Sequence, residues 1–597
     1  MKRLLLILMA AVLALPCLVL SVGAATPQNA MIATTREAVE AAVGTDTAGA
    51  AVVLLEAGSR TMLEGFGYDD IEGRTVVSAE TAFELGELSS LFVMAAVLRL
   101  EAEERLSLDA DVTDYLPKAF VEQLGLSHET TLRHLLYGMA GFEGRGIDLR
   151  FEKPSHCFDT LEEALLSQVP AQSAASGLYH NASAFGIGLA AYAVECVAGV
   201  PYADYVTQQI LGPLGMTSTL PDPRKDSEIA FPAKGHLTVG EGRFAVAVRD
   251  GRSYGGIWPA NGAISTAADM SVFLQFVLSD PAMLALLSET DENGIFAVGV
   301  LDSLVSGNVR VIEGASSYFG ACVAIDPIAR WAALVMTNGR ESSLLALPRT
   351  LGGVTLGVTV ESADAYQPVD TEKLEGAFAD ASLERSGFLG RLSVKENAVK
   401  LTDNGDGTVS FGGQTLKQIA RGVFADAEKG DSVAVLQALY TVEGELIALL
   451  HADGTTYLPV SFFEQGAPAT VLYVLVVLLA LFFLAGGVLK LLARLIRRGE
   501  HSEPWRFVFP WIFAAVFSLL VLLQLRVGET RGVLAMAGFF EAMTLLCLLF
   551  AVATTVSLIL ALFTAFTKHG RTARVARCAI AFLALFFLCG YWKLIVI

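Results

Sequence analysis

Residues 81–92 read Thr-Ala-Phe-Glu-Leu-Gly-Glu-Leu-Ser-Ser-Leu-Phe. Phe83 and Leu85 flank an acid, Gly86 breaks the run, and Glu87 opens a new one. From Leu88 to Leu100 the spacing predicts a helix, with Leu91, Phe92, Ala95 and Leu98 on one face. Glu87 then stands in a helix first turn, where the positive end of the dipole favours an acid. Upstream, Ala50–Leu55 is a short apolar run, Gly58 turns the chain and Thr61–Gly67 returns, which is a hairpin signal. Downstream, residues 182–198, 202–211 and 266–278 read as helices. Residues 309–312, 320–325 and 331–337 read as strands. Strands at both ends with helices between them predict an α+β domain whose first and last strands share a sheet.

From about Leu374 to Phe463 the pattern changes to short strands separated by turns such as Asn404-Gly405-Asp406-Gly407, Gly412-Gly413 and Asp453-Gly454. This predicts a small all-β domain, barrel-like. Residues 403–407 resemble a calcium loop only faintly, since glycine holds the third ligand position and no Glu closes the loop. They are expected to form a hairpin turn.

The 597 residues include 53% hydrophobic and only 17% charged residues, well below the ~25% charged of soluble domains. The net charge of −20 hides a split, with −28 on residues 1–466 and +8 on residues 467–597. An acidic body excludes an ordinary nucleic-acid binder, which needs cations to meet phosphates. Met1-Lys2-Arg3, an apolar run from Leu4 to Val22 and small residues at 23–25 read as a secretory signal peptide over residues 1–25. An uncleaved anchor helix is the other reading. Pro16 before Cys17 argues against a lipoprotein signal.

The tail carries apolar runs at Ala469–Leu489 and Phe507–Leu525, a third within 532–566 and a fourth near 578–592. Each approaches the roughly 20 residues needed to cross a bilayer, which predicts four transmembrane helices over residues 467–597. Lys490, Arg494, Arg497, Arg498 and Arg506 lie between the first and second runs, and Lys568, Arg571, Arg574 and Arg577 between the third and fourth. The positive-inside rule places both loops in the cytoplasm and residues before about 466 outside it. The expectation is a multi-pass cell-membrane protein with extracytoplasmic N-terminal domains and the lipid bilayer as a partner. Glu541 is the one acid within these runs and is read at the outer interface. Cys157, Cys196 and Cys322, widely spaced, make no disulfide framework, and neither the cysteines nor the eight histidines suggest a metal site. No cofactor is expected.

Seven strings occur in the order found in one family. They are residues 81–92 above, Leu108–Pro117, Thr131–Leu136, Gly177-Leu-Tyr-His-Asn181, Gly212-Pro-Leu-Gly-Met-Thr217, Ala260–Asp269 and Ile325-Asp-Pro327. Over residues 45–340 the chain resembles the class C β-lactamase and DD-peptidase-like serine hydrolases, including penicillin-binding proteins. A β domain and four-helix tail also resemble an arrangement of membrane-bound members. The resemblance implies a class C β-lactamase-like α+β domain over 26–360, with an antiparallel sheet flanked by helices, followed by the β domain over 361–466.

Such hydrolases attack an acyl carbon with a serine whose proton a neighbouring base removes. Ser-x-x-Lys at a helix N-terminus supplies the pair, Tyr-x-Asn adds a tyrosine for proton transfer, and a Lys- or His-x-Gly strand binds substrate and lines the oxyanion hole. Here Glu87 stands at the serine position and Ser90 at the lysine position. No lysine in the chain has a serine three residues before it. Tyr179-His180-Asn181 keeps the second motif. Ile312-Glu313-Gly314 keeps the glycine of the third and loses the cation. Ser89 matches a family serine that faces inward. Gly251-Arg252-Ser253-Tyr254-Gly255 fits a nucleophile-elbow pattern but is followed by Gly256, Pro259 and Gly262, so a loop is expected. No catalytic set is intact. The leading expectation is a pseudoenzyme that binds a cell-wall peptide or a partner protein, or regulates a neighbouring enzyme. An active D-alanyl peptidase or esterase using altered residues, and a sensor for the chain's own membrane module, stay open.

Overall fold

The computed structural model describes residues 27–144, 150–228, 232–240, 243–247, 251–289, 308–353, 369–383, 385, 387–427, 434–441, 444–452, 454–461, 466–496, 505–529, 537–565 and 572–591. The signal peptide expected at 1–25 lies outside these, as do the loops at 497–504 and 566–571. Two compact units form. The first takes the chain up to Ala140 together with Arg150–Val169 and Ala184–Val358. The second takes Gly141–Leu149, Pro170–Ser183 and everything from Thr359. Two short stretches from within 26–360 thus pack with the C-terminal half of the chain.

The first unit is an α+β domain. Its six-stranded sheet contains β1 (Gly49–Glu56), β2 (Ser59–Asp70), β3 (Thr75–Val76), β4 (Arg310–Ala315), β5 (Gly320–Asp326) and β6 (Trp331–Thr337), in the order β4-β5-β6-β1-β2-β3. All five pairings are antiparallel. The expected union of first and last strands is present, with Ala50 opposite Thr337 and Leu55 opposite Ala332. β1 is buried from Gly49 to Leu55 because both faces of the sheet are covered, which is why its sequence is an unbroken apolar run rather than an alternation. Val52, Leu54, Val311, Cys322 and Val335 pack on one side with Val39 of helix α1 (Pro27–Ala42) and with Leu344 and Leu347. The predicted helix after Gly86 forms as a 3₁₀ turn, Gly86–Ser89, leading into α2 (Ser90–Ala102). Helices α3 (Ala184–Ala198) and α4 (Ala267–Val277) follow. Asp269 in the first turn of α4 accepts hydrogen bonds from the Ser218 N–H and the Thr219 hydroxyl, at 2.9 and 2.8 Å. That tie fastens the residues just after the 212–217 string to the end of the 260–269 string.

In the second unit eight strands close into a barrel. They are β7 (Gly376–Asp380), β8 (Val399–Asp403), β9 (Thr408–Phe411), β10 (Gln414–Ala420), β11 (Val423–Asp426), β12 (Ala434–Tyr440), β13 (Leu446–His451) and β14 (Thr456–Val460). β7 pairs β14, so no edge is left open. Phe378, Leu401, Phe411, Phe424 and Leu449 fill the interior. The turn at 404–407 joins β8 to β9 as a hairpin, as expected. The barrel domain is not purely β: helix α5 (Gly387–Asn397) is inserted between β7 and β8. Two glycines within 387–390 and a polar mean composition concealed it in the sequence.

Four helices complete this unit: α6 (Gly466–Ile496), α7 (Trp505–Glu529), α8 (Ala537–Ala565) and α9 (Thr572–Tyr591). Their shared core includes Phe483, Phe517, Val521, Cys547, Phe582 and Leu585. Among the described residues one helix, Thr470–Ile496, is long and apolar enough to cross a membrane, with a mean hydropathy of 2.8. Phe507–Leu523, Leu546–Ala561 and Val575–Cys589 are shorter apolar segments. Two bent helix pairs of the α+β unit, 184–214 and 267–288, are also long and apolar when each pair is taken together, but there the apolar residues face the domain core.

Candidate functional site

The edge strand β4 runs against the turn that starts α2. Residues 312 and 314 share one face of this strand by its period of two. Gly314 is buried there, and a Cβ at its position would stand 2.2 Å from the Leu85 carbonyl oxygen and 2.8 Å from the Glu87 nitrogen. Gly86 answers it: its φ is +56°, and a Cβ there would meet the Ala315 nitrogen at 2.3 Å. Both positions require glycine, one for closeness and one also for its left-handed backbone. The glycine kept from the third motif thus brings strand and helix end into backbone contact.

At that junction the Ala315 N–H donates to Glu87 Oε2 at 2.7 Å. A strand N–H at a helix N-terminus is a donor aimed where an anion is stabilised, and the side chain of residue 87 occupies it. Ser90, 1% exposed, directs its hydroxyl to the Glu87 carbonyl at 2.8 Å. It caps backbone and offers no cation. Ser89 faces inward: its hydroxyl donates to the Gly86 carbonyl at 2.6 Å and accepts from the Ala263 N–H at 2.9 Å. Ile312 is fully buried, and Glu313 on the opposite face pairs with Arg349 at 3.0 Å.

Two neighbours, Arg150 and Glu84, are not singled out as site residues by the sequence. Arg150, in a two-residue strand pairing Arg150–Phe151 with Tyr254–Gly255, donates from Nη2 to the Ala315 carbonyl at 2.9 Å. A cation therefore approaches β4 from a segment unrelated to the third motif. Glu84, on the strand Ala82–Glu84 that pairs with Ile264–Thr266, is 5% exposed. Its carboxylate accepts from the Ser253 N–H at 3.1 Å and the Ser253 hydroxyl at 3.2 Å, and also from Ser316. Burial nonetheless pushes its carboxyl above the usual range, with Arg252 and Arg150 opposing the shift. Ser253 Oγ in turn accepts from the Ser317 N–H at 3.3 Å. No helix follows Gly255 directly: two residues separate it from the single turn Trp258–Asn261, so residues 251–255 form no strand-to-helix elbow. An acid between Phe83 and Leu85, in a strand buried throughout, was the available clue to Glu84.

Tyr179 and Asn181 belong to the second unit. Asn181 is buried, and its Nδ2 donates to the Phe142 and Ala381 carbonyls, each at 2.9 Å. Ala381 follows β7, so this side chain fastens two loop segments to the start of the barrel. Tyr179 is buried as well, and burial raises its phenol although Ser173 hydrogen-bonds to it. In the same cluster Glu143 accepts from the Arg385 N–H at 3.1 Å. The structure thus gathers Glu87, Ser90, Ile312 and Gly314 in one unit and assigns Tyr179 and Asn181 to the other.

Among curated proteins the chain is 25% identical over 173 residues to Protein flp of Staphylococcus aureus strain N315, a match covering 29% of this chain. The chain spans about a third of that relative's length (34%). Among solved structures it is similar to that of SurE, with a TM-score of 0.51 at 17% identity, covering 72% of this chain and 99% of the other. It is also similar to the octameric penicillin-binding protein homologue of Pyrococcus abyssi, with a TM-score of 0.43 at 16% identity, covering 71% and 95%. At such identities the SurE likeness is one of fold. The family model described as Beta-lactamase matches residues 35–351, more than half of the sequence and the whole of the six-stranded sheet. The chain belongs to the beta-lactamase family.

Proposed function

We propose that this is a membrane-anchored pseudoenzyme of the family, which binds a cell-wall peptide or a partner protein outside the cytoplasm and does not form an acyl-enzyme. The observation that carries this is the Glu87 carboxylate on the Ala315 N–H at 2.7 Å. An acyl-transfer site needs a nucleophile at this helix end and a vacant donor for the developing oxyanion. Here the nucleophile position holds an acid and that acid uses the donor. Ser90 supports the reading, because a hydroxyl bonded to a backbone carbonyl cannot serve as the base that lysine provides. Asn181 and Tyr179, both buried and bonded within their own unit, are on this reading kept for structure. Arg150 beside Ala315 supplies a cation for an anionic ligand group, such as a peptide carboxylate.

The anchor rests on the apolar run of α6, on the three shorter apolar segments after it and on the basic loops that the positive-inside rule assigns to the cytoplasm. With four spans the α+β and barrel domains are extracytoplasmic.

A second reading, a hydrolase with altered residues, draws on Ser253, whose hydroxyl points at the Glu84 carboxylate. Both side chains are buried, which disfavours attack on a substrate. One experiment separates the two. The full-length protein is incubated with a β-lactam and, separately, with a fluorophosphonate, and its intact mass is measured. Unmodified protein is expected. A stoichiometric adduct on Ser89, Ser90 or Ser253 would overturn the pseudoenzyme reading.

A further inference from the structure

The strands His236–Gly240 and Arg243–Val246 pair as a hairpin that meets the rest of the α+β unit at its root. Leu237 and Val239 are exposed, so beyond the root little apolar burial holds the hairpin down. At the root the His236 N–H donates to the Asn338 carbonyl and the Lys234 N–H to the Asp69 carbonyl, each at 2.9 Å. Asn338 is fully buried; its Oδ1 accepts from the Gly49 N–H and its Nδ2 donates to the Tyr68 carbonyl. The root therefore stands where β1, β2 and the end of β6 meet. There the His236 ring is 4% exposed, and its Nε2 accepts from the Ile71 N–H at 3.4 Å. An accepting Nε2 assigns the ring's proton to Nδ1, which makes the imidazole neutral. Nδ1 itself makes no well-formed hydrogen bond, although the Lys234 carbonyl beside it favours a proton there.

A second proton, on Nε2, turns that acceptor into a donor facing the Ile71 N–H and places a full charge where water does not reach. The charged groups facing the ring are Asp69 and Asp70 of β2 and Lys234 of its own segment. Lys234 is paired with Asp70 at 3.0 Å. Burial outweighs the two carboxylates and holds the imidazole below its usual range. A released hairpin returns the ring to water, where it titrates near about 6.5. The released state therefore binds the proton more tightly. Attachment of the hairpin is at full strength above that value. It weakens as pH falls from there through the lower attached value, by at most about tenfold per pH unit.

The root also leans on the candidate site. A Cβ at Gly251 would lie 2.5 Å from the Gly235 Cα, and one at Gly235 would lie 2.6 Å from the Tyr318 Cβ. From Gly251 the chain runs to Ser253, which bonds Glu84, and to Tyr254–Gly255, which pair with Arg150–Phe151. Arg150 in turn holds the Ala315 carbonyl. The hairpin root is thus wedged against the two segments that adjoin the end of β4, residues 251–255 and the turn at 316–319.

We propose that His236 is a proton-operated latch: neutral, it holds the hairpin on the end of β2, and protonated, it frees the hairpin and loosens residues 251–255 and 316–319 beside Glu87 and Ala315. The latch goes beyond the pseudoenzyme reading and does not depend on the membrane anchor.

The test uses the full-length chain in a neutral detergent, at about pH 7.5 and about pH 5.5, on either side of the ordinary imidazole value. Amide hydrogen exchange is read by mass spectrometry and corrected for the intrinsic effect of pH. Protection at 69–72, 233–240 and 243–247 should fall at the lower pH by up to about tenfold. Residues 251–255 and 316–319 should loosen with them, and β1 should not. Exchange at the His236 C2–H, followed against pH in the same peptides, should give a pKa below about 6.5. His236→Gln stays neutral and can still accept the Ile71 N–H, so it should keep the parent's protection and lose the response to pH. His236→Arg, charged throughout, should be loosened already at the higher pH. Glu84 titrates in the opposite sense and is unchanged in both variants, so their difference from the parent belongs to residue 236. The C2–H measurement needs no variant and covers the case in which His236→Gln fails to fold. Equal protection at both pH values, an undiminished pH response in His236→Gln, a His236 pKa at or above about 6.5, or loosening of β1 together with the hairpin overturns the latch. A hairpin that loosens while 251–255 and 316–319 do not overturns its link to the site.

Discussion

Replacing Glu87 by alanine removes the acceptor of the Ala315 N–H and leaves that donor, half-buried between β4 and the start of α2, to find water or nothing. A hydrogen bond to a charged group contributes about 1.5–3 kcal/mol, and the donor's partial access to water returns some of it. Alanine also recovers a few tenths of a kcal/mol of helix propensity. The net loss should be about 1–2 kcal/mol. In a domain of this size each kcal/mol moves the melting temperature by roughly 2–4 °C, so a fall of about 2–8 °C is expected. Glu87→Gln keeps an oxygen that can accept the same N–H. It loses only the charge, whose value at a helix N-terminus is about 0.3–1 kcal/mol, and should fall about half as far. Glu87→Ser should fall like alanine and gain no hydrolytic activity, because Ser90 provides no base. The assay is thermal unfolding of the detergent-solubilised full chain, followed by intrinsic fluorescence, to which Trp258 and Trp331 of the α+β unit contribute, with Trp505, Trp511 and Trp592 replaced by Phe in parent and variants alike. If Glu87→Ala leaves the melting temperature unchanged or raises it, the carboxylate does not hold the strand to the helix end, and the reasoning about an occupied donor fails.

Gly314→Ala places a methyl group 2.2 Å from the Leu85 carbonyl oxygen and should lower stability by more than about 2 kcal/mol, read as a lower melting temperature or loss of soluble expression; a parent-like melting temperature would show that β4 can withdraw. Asn181→Ala leaves the Phe142 and Ala381 carbonyls without their shared donor and should cost about 1–3 kcal/mol, seen as faster proteolysis around 141–149 and 170–183. Glu84 gives a pH signature: its folded pKa is raised by burial, so the folded state binds the proton more tightly than the unfolded one. Its contribution to stability is then fully present below the unfolded carboxyl pKa, near about 4.3, and is lost as pH rises from there through the raised folded value. Glu84→Gln, which can still meet Ser253 and Ser316, should flatten that fall, and an identical pH profile of melting temperature in parent and variant would count against it.

Short-range pattern exposed much of this architecture. The unbroken apolar run of β1, the turn-dense stretch from 374 to 463 and the apolar tail each carry their structure in local composition. Ser89 and Ser90 were legible only through resemblance, since a serine in a helix first turn has no distinctive local signature. What local pattern could not carry is whatever depends on a distant backbone. Glu87 reads as an ordinary first-turn acid until Ala315, 228 positions later, is laid beside it. Gly314 reads as the glycine kept from a motif that has lost its cation, and the space it yields to Leu85 shows only in the fold. Nothing local singles out Arg150, which stands on the Ala315 carbonyl 165 positions later. The attachment of 141–149 and 170–183 to the second unit hangs on hydrogen bonds such as Asn181 to Ala381, 200 positions apart. Helix α5 escaped notice because its two glycines and its polar residues weaken the helical signal of a short segment.

The place of β1 at the centre of the sheet has a consequence for how the chain is made. Gly49 N–H is satisfied by Asn338 Oδ1, 289 positions further on, and β1 lies between β2 and β6. At ribosomal rates of about 5–20 residues per second, roughly 15–60 s pass between the emergence of these two residues. During that interval the hairpin of β1 and β2 can form, but the other edge of β1, lined by Ala50 to Leu55, has no native strand to pair with. An apolar edge waiting that long is a template for pairing with other chains. Biogenesis therefore depends on whatever shields this edge until β6 arrives, and a nascent chain arrested before residue 331 should be the species most prone to aggregate.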